Sequence, residues 1–435
     1  MRTPLLVLFG ICPSLVQAQF FLKCRTGSVA ELEYNIRAHE EQSYRLNQKF
    51  LDRYYYQGPL PADFRPVELR EIRQYLQLLE PTRRVGLLFY SHLDNYVCVW
   101  LVSPGGVTSH VAPAEESAFM ALATRLAAGL GVSGAPGVRS PRRVGVRPRA
   151  EVAQRSVISL GESLRSTSEL LLPATIRQAI LRESLDAIAI VPVSPVGLIP
   201  FSALQIGDKP LVDLLAVSVV PGFFAFRKSP TTSRVRFKSA IVAGDPRPVR
   251  DRGWTFPPLP GAREEVTEVA TMLGTTPLLG EDVSKLHIAD FIRTHPETDL
   301  IYLATHGIAD PTDPLDASFL LMSDGRWPAT AVQNLRLEAG PLVVLSACQT
   351  GLGRDFDVGT IGMARAWERA GASAVVMSLW SVDDQATKQL MTQFLGLART
   401  LPADEALRQA VQHTRGMYPH PANWAGFAVF GVPAR

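Results

Sequence analysis

LIYLATHG, Leu300 to Gly307, and LVVLSACQTG, Leu342 to Gly351, decide the fold. Each opens on apolar, β-favouring residues and stops at a side chain that can do chemistry, His306 in the first and Cys348 in the second. A continuous apolar run has no polar side to give to water, so each predicts a strand covered on both faces. The pattern recurs in AIAIVPVS (187–194), LLAVSVVP (214–221), SAIVAGDP (239–246), AVVMSLWSV (374–382) and NWAGFAVFG (423–431). Between many of these lie segments with apolar residues at helical spacing: GAREEVTEVATML (261–273), SKLHIADFIRTH (284–295), GTIGMARAWERAG (359–371) and DQATKQLMTQFLGLART (384–400). Such alternation predicts an α/β fold, a mostly parallel sheet with helices on both faces.

Working outward, residues 151–435 form the expected core domain and 131–150 a linker. That linker carries Arg139, Arg142, Arg143, Arg147 and Arg149 among glycines and prolines, a solvated loop open to proteolytic nicking. Residues 83–130 read as a strand pair and a helix leading into the core. Turns are expected at Asp94-Asn95 and Gly105-Gly106, and an apolar stripe at Phe119, Leu122 and Leu126. Residues 19–82 read as a helical segment, with Pro66 expected in the first turn of its second helix. Residues 1–18 combine Arg2, an apolar run from Pro4 to Val16 and a small residue at Ala18, the pattern of a cleaved export signal. The expected location is therefore periplasmic or extracellular, with no integral span beyond the signal. Removing the signal leaves Cys24, Cys98 and Cys348. One bridge, Cys24–Cys98, and one free thiol fit an exported chain, while Cys98 in a strand-like run equally suits a buried small hydrophobe.

Composition excludes several functions. The net charge is +3, and the dense basic stretch lies in the linker, so no nucleic-acid face is expected. The chain has no phosphate-binding G-x-x-x-x-G-K-[ST] loop, no G-x-S-x-G elbow and no H-E-x-x-H or paired C-x-x-C metal motif. His287 and His295 fall in and at the end of a helix, and His413 and His420 read as surface residues.

What remains is His306 and Cys348. In an open α/β sheet, ligands gather at the carboxyl ends of strands. If the two strands are parallel neighbours, both residues emerge at one rim. A Cys–His pair performs nucleophilic acyl transfer: the imidazole draws the proton from the thiol, the thiolate attacks, and the imidazolium then protonates the leaving amine. Gly307 follows the histidine, and Gly351 and Gly353 follow the cysteine. The backbone N–H groups of Gly307 and Cys348 are the candidate oxyanion donors.

These residues resemble a known family. LPGAREEV, LIYLATHGIAD, DASFLLMSDG, LVVLSACQTGLG, GTIGMARAWERAGASAVVMSLWSVDDQATKQLMTQF and NWAGFAVFG, in this order, are similar to the CHAT domain, a caspase-like cysteine peptidase related to caspases and separases. The resemblance implies a caspase-hemoglobinase-like fold, His306 as general base and acid, Cys348 as nucleophile, and neither metal nor organic cofactor. Two departures stand out. VPVSPVGLIPFSAL (191–204) lacks an acidic residue common in that region, and an export signal with a short helical segment stands where many members carry tetratricopeptide repeats.

The expected function is an exported cysteine endopeptidase acting on protein or peptide substrates, with a regulatory partner still to be identified. Separase-like relatives imply a basic P1 residue. Asp383, Asp384 and Asp355 are the candidate S1 acids, with Asp357 beside them, although Asp383 and Asp384 also suit the start of a helix. The alternative is a non-catalytic CHAT-like protein-interaction module; a general acyl hydrolase or transpeptidase using the same pair is weaker.

Overall fold

A computed structural model of the chain describes residues 23–52, 60, 63–93, 95–115, 126, 129–130, 153–192, 196, 199–227, 237–247, 250–251, 254–256, 258–308, 316–346, 354–356, 359–380 and 382–434. Cys348, Asp357, the 131–150 linker, the signal segment and most of the helix expected before the linker lie outside the described residues.

The apolar runs condense into one sheet, numbered here along the chain. Its strands are β1 (Val85–Leu93), β2 (Tyr96–Ser103), β3 (Gly106–Pro113), β4 (Ala187–Val191), β5 (Ala216–Val219), β6 (Ala240–Pro246), β7 (Leu278–Gly280), β8 (Leu300–Ala304), β9 (Leu342–Leu345), β10 (Ala374–Ser378) and β11 (Phe427–Phe430). Their order across the sheet is β7-β6-β8-β9-β10-β11-β5-β4-β1-β2-β3. Three pairings are antiparallel: β1–β2, β2–β3 and β10–β11. The others are parallel. Every residue of β4, β8 and β9 is buried, and since alternate side chains face opposite sides, both faces are covered. The expected fold class is the observed one.

The helices of eight or more residues among the described residues are α1 (Val29–Asp52), α2 (Leu69–Leu79), α3 (Ala153–Leu171), α4 (Ala174–Arg182), α5 (Pro260–Leu273), α6 (Lys285–Thr294), α7 (Met363–Ala370), α8 (Asp384–Ala398) and α9 (Ala403–Met417). The antiparallel β10–β11 pair divides the sheet. β6, β7, β8, β9 and β10 run together and present their carboxyl ends on one rim, opposite to the carboxyl ends of β11, β5, β4 and β1. His306 and the chain leading to Cys348 belong to the first rim.

The amino-terminal segment is joined into this body. β1 lies parallel to β4, with Val85 opposite Ala187, so the three-stranded meander continues the core sheet. Asn95, at φ 66°, makes the expected turn between β1 and β2. The Trp100 indole N–H donates to the Gly27 carbonyl at 3.0 Å, and the Tyr75 hydroxyl donates to the Pro433 carbonyl at 2.8 Å. On α1, His39 is fully buried, edge-on to Phe223 at 5.1 Å, and burial holds it neutral with a pKa of about 3. The buried Arg365 of α7 reaches back to the Ser43 hydroxyl at 2.9 Å, docking α1 on the helix that follows the Cys348 segment.

Cys24 and Cys98 form a disulfide across a sequence separation of 74, with Cα atoms 5.5 Å apart. Both are also buried, so the alternative reading of Cys98 as a packed small residue describes the same position. Closing so long a loop restricts the unfolded chain. Cys98→Ser is therefore expected to lower stability by roughly 2–5 kcal/mol, read as a fall in the denaturant midpoint. An unchanged midpoint would mean that the cross-link restrains nothing in the unfolded chain.

Several expectations need correction. Pro66 precedes α2 rather than sitting in its first turn. The helix starts at Leu69, where the Glu71 carboxylate accepts the Glu68 N–H at 2.8 Å. The helix expected over 359–371 begins only at Met363, because Gly359–Ile361 pairs as a strand with Arg354–Phe356 and Gly362, at φ 152°, breaks the chain direction. His413 is exposed as expected, but His420 is half-buried and its Nδ1 accepts the Ala422 N–H at 3.2 Å. α9 was not anticipated from its sequence.

Candidate active site

β8 and β9 are parallel neighbours, with Leu303 opposite Leu345. The ladder extends one residue further, the Ser346 N–H donating to the Leu303 carbonyl at 2.9 Å. β8 ends at Ala304, and His306 stands half-buried at the rim, its ring 5.3 Å from that of Phe256. Phe256 belongs to a small apolar cluster with Phe319 and Leu321. Phe319 and Leu321 come from the middle strand of a three-stranded arm, Gly307–Ile308, Phe319–Met322 and Gly325–Pro328, so the histidine has an apolar wall beside it.

The main chain on either side of His306 is held as well. Its carbonyl accepts the Leu321 N–H at 2.8 Å, and the Thr305 hydroxyl donates to the Leu321 carbonyl at 2.5 Å. This bond pattern makes Gly307 and Leu320 a non-hydrogen-bonded antiparallel pair, so the buried Gly307 directs its N–H away from Leu320. Among the candidate oxyanion donors, Gly307 thus keeps an amide that the arm does not consume; Cys348, the other, lies outside the described residues.

The candidate S1 acids differ. Asp383 caps α8: one carboxylate oxygen accepts the N–H groups of Gln385 and Ala386, each at 3.1 Å. Asp384, in the first turn, is exposed and stands against Gly261 at the start of α5. Partial desolvation, then the Asp383 charge, push its pKa up. Both follow β10, a neighbour of β9, and so belong to the rim of His306. Asp355 lies in the Arg354–Phe356 strand beyond Cys348.

Two acids, one at this rim and one beneath it, went unnoticed in the sequence. Asp245 ends β6 at φ 50° and is buried; its carboxylate accepts the Leu259 N–H at 2.8 Å and the Arg263 guanidinium at 2.7 Å, fixing where α5 begins. The preceding Gly244 admits α5 closely, since a Cβ there would come within 2.7 Å of Val266 and 2.8 Å of the Ala304 carbonyl. Glu265 of α5 is buried beneath β8 and accepts the Tyr302 hydroxyl at 2.5 Å. The sequence signal for Asp245 was a strand ending Gly-Asp-Pro; Glu265 had none, being one of four acids or bases in an amphipathic helix. Among the described residues no three His, Cys, Asp or Glu side chains gather as a metal site.

The CHAT domain family model matches residues 161–432, more than half of the chain. The chain belongs to the CHAT domain family. Tetratricopeptide repeat protein 28 of Mus musculus is 27% identical over 248 residues, covering 47% of this chain and 10% of that protein. Its Homo sapiens counterpart is 26% identical over 287 residues, covering 54% and 11%. The chain thus spans about a tenth of the length of these curated relatives. Among solved structures it is similar to the Saccharomyces cerevisiae separase–securin complex, with a TM-score of 0.58 and 10% identity over 95% of this chain and 34% of that one. The CHAT domain here therefore has the separase-type, caspase-like fold. That similarity includes the amino-terminal meander as well as the family-matched segment.

Proposed function

We propose that this CHAT protein is an exported cysteine endopeptidase with a His306–Cys348 dyad. The observation that carries the reading is the Leu303–Leu345 pairing: His306 lies three residues beyond one partner and Cys348 three beyond the other, on adjacent parallel strands. In the proposed reaction His306 takes the thiol proton and the Cys348 sulfur bonds to the scissile carbonyl carbon. The oxyanion is held by the N–H groups of Gly307 and Cys348. Collapse breaks the C–N bond as His306 returns the proton to the amine, leaving a thioester. Water, deprotonated by His306, then releases the acid and restores the thiol. The test is covalent trapping with a peptidyl acyloxymethyl ketone: the adduct should map to Cys348, and an adduct elsewhere, or none, counts against the dyad.

The substrate class proposed is a protein with Arg or Lys at P1. Asp383 is engaged in capping, so Asp384 is the favoured recognition acid, with Asp355 as the rival. A carboxyl whose charge is disfavoured by its surroundings gains most from an incoming cation. A peptide library should show a basic P1 preference, weakened at least about tenfold in Asp384→Asn, the worth of losing one charge-assisted contact. A preference for acidic or apolar P1 residues defeats this assignment.

Export is supported by the signal pattern in 1–18 and by a disulfide of the kind that oxidising compartments maintain. Sequencing the amino terminus of the mature protein should begin at Gln19. Among the described residues no helix is long and apolar enough to cross a membrane.

A further inference from the structure

Beneath the rim, one carboxylate touches both strands of the candidate dyad. Glu265 reaches from α5 to Tyr302 on β8, whose hydroxyl donates to it at 2.5 Å. The Ser346 side chain, next after β9, also bears on Glu265 and Tyr302, favouring the ionised form of each. Tyr302 precedes His306 by four residues and Ser346 precedes Cys348 by two. Glu265 and Tyr302 are fully enclosed, and a buried polar network of this kind is retained only where its members satisfy one another.

We propose that Glu265 is a positioning residue that, through Tyr302 and Ser346, holds the end of β9 against β8, the two strand ends from which Cys348 and His306 follow in sequence. The inference rests on the dyad reading given above. Its physical basis is that Ser346 makes the last β8–β9 ladder bond among the described residues, so the hold on its side chain bears directly on the end of β9. Neither Tyr302 nor Glu265 reaches the rim, and neither touches substrate in this scheme.

The charges around Glu265 make its ionisation part of the device. Burial, first of all, raises its pKa to about 7; Asp384 from α8 and Glu268 from its own helix push the same way, while the Tyr302 and Ser346 hydroxyls oppose them. Lys388 of α8 is paired with Glu268 at 3.3 Å and Glu264 at 3.7 Å, and Arg263 with Asp245 at 2.7 Å. These cations are therefore engaged by other acids. Below neutrality Glu265 carries a proton and must donate to one of its neighbours; above neutrality it only accepts. The charge that Ser346 faces differs between the two states, so the hold on the end of β9 changes across the same pH interval.

The experiment is alkylation of the full-length protein by iodoacetamide across pH 5–9, with the rate read from the mass of the Cys348 peptide. It needs no substrate. Glu265→Gln and Ser346→Ala are each expected to slow Cys348 alkylation at pH 7 by about 10–100-fold, the scale of a displacement near one ångström. Each should also move the pH midpoint up toward that of an ordinary thiol. Ser346→Thr, which keeps the hydroxyl, should restore the wild-type midpoint. Ser346→Ala removes a single half-buried hydroxyl and decides the matter if Glu265→Gln does not fold. Wild-type rate and midpoint in the folded Ser346→Ala protein, with His306→Ala shifted, overturn this proposal and leave the dyad standing. An unshifted His306→Ala protein instead overturns the dyad and, with it, this inference.

Discussion

Cys348→Ala lowers kcat/KM for peptide cleavage by about 10⁴-fold or more, and His306→Ala does nearly the same: this is the largest effect expected in the molecule. Without the sulfur no thioester forms, and the oxyanion donors alone retain only the small acceleration that positioning provides. Without the imidazole the thiol stays protonated at neutral pH and the leaving amine has no proton donor. The two side chains act in one sequence of events, so the double variant should be no slower than the worse single one. KM should move little, because neither group belongs to the pocket assigned to P1. Steady-state kinetics on a basic fluorogenic peptide provide the check. Cleavage surviving either substitution would assign the activity, and the catalytic residues, elsewhere.

The second large effect falls far from the rim. Arg83, just before β1, forms a two-pronged bond to Asp404 in the first turn of α9, at 2.8 and 3.0 Å. Its guanidinium also donates to the Ala434 carbonyl at 3.1 Å. The Asp404 side chain is 3% exposed and that of Arg83 is 11% exposed. Asp404→Ala therefore leaves a charged guanidinium in a site that water scarcely reaches, which costs about 3–5 kcal/mol. The double replacement Arg83→Leu with Asp404→Leu should recover much of this loss, since the desolvation penalty disappears together with the attraction. Urea denaturation measures both. A single-variant loss below about 1 kcal/mol would place the pair in the class of solvated ion pairs. The pair also explains why the amino-terminal segment folds with the core: it joins the entrance to β1 with the last helix and the carboxyl-terminal chain.

The sheet was legible because its strands are buried on both faces. LIYLA and LVVL admit no other reading, and each stops where the structure stops it, within a few residues. Helix starts were less legible. GTIGMARAWERAG has helical spacing throughout, yet Gly359–Ile361 pairs with Arg354–Phe356, a contact between segments that periodicity does not register. α9 escaped notice because ADEALRQAVQHTRGM is mostly polar, and only its packing on β5 and α8 makes its apolar stripe visible. At the site, His306 was marked by ending a strand. Glu265 was not, because nothing in GAREEVTEVATML separates the one carboxylate turned inward from the two that face out. Asp383 shows the converse: its position after a strand and before a helix suited both a cap and a pocket acid, and the cap is what its carboxylate is bonded to.

The most direct measurement is the identification of new protein termini after wild-type and Cys348→Ala protein are added, in parallel, to a mixture of exported proteins. A dyad peptidase predicts a set of new amino termini preceded by Arg or Lys in the wild-type sample and absent from the Cys348→Ala sample. The same termini in both samples, or none in either under conditions where Cys348 is reduced, would contradict it and leave the CHAT fold here as an interaction module.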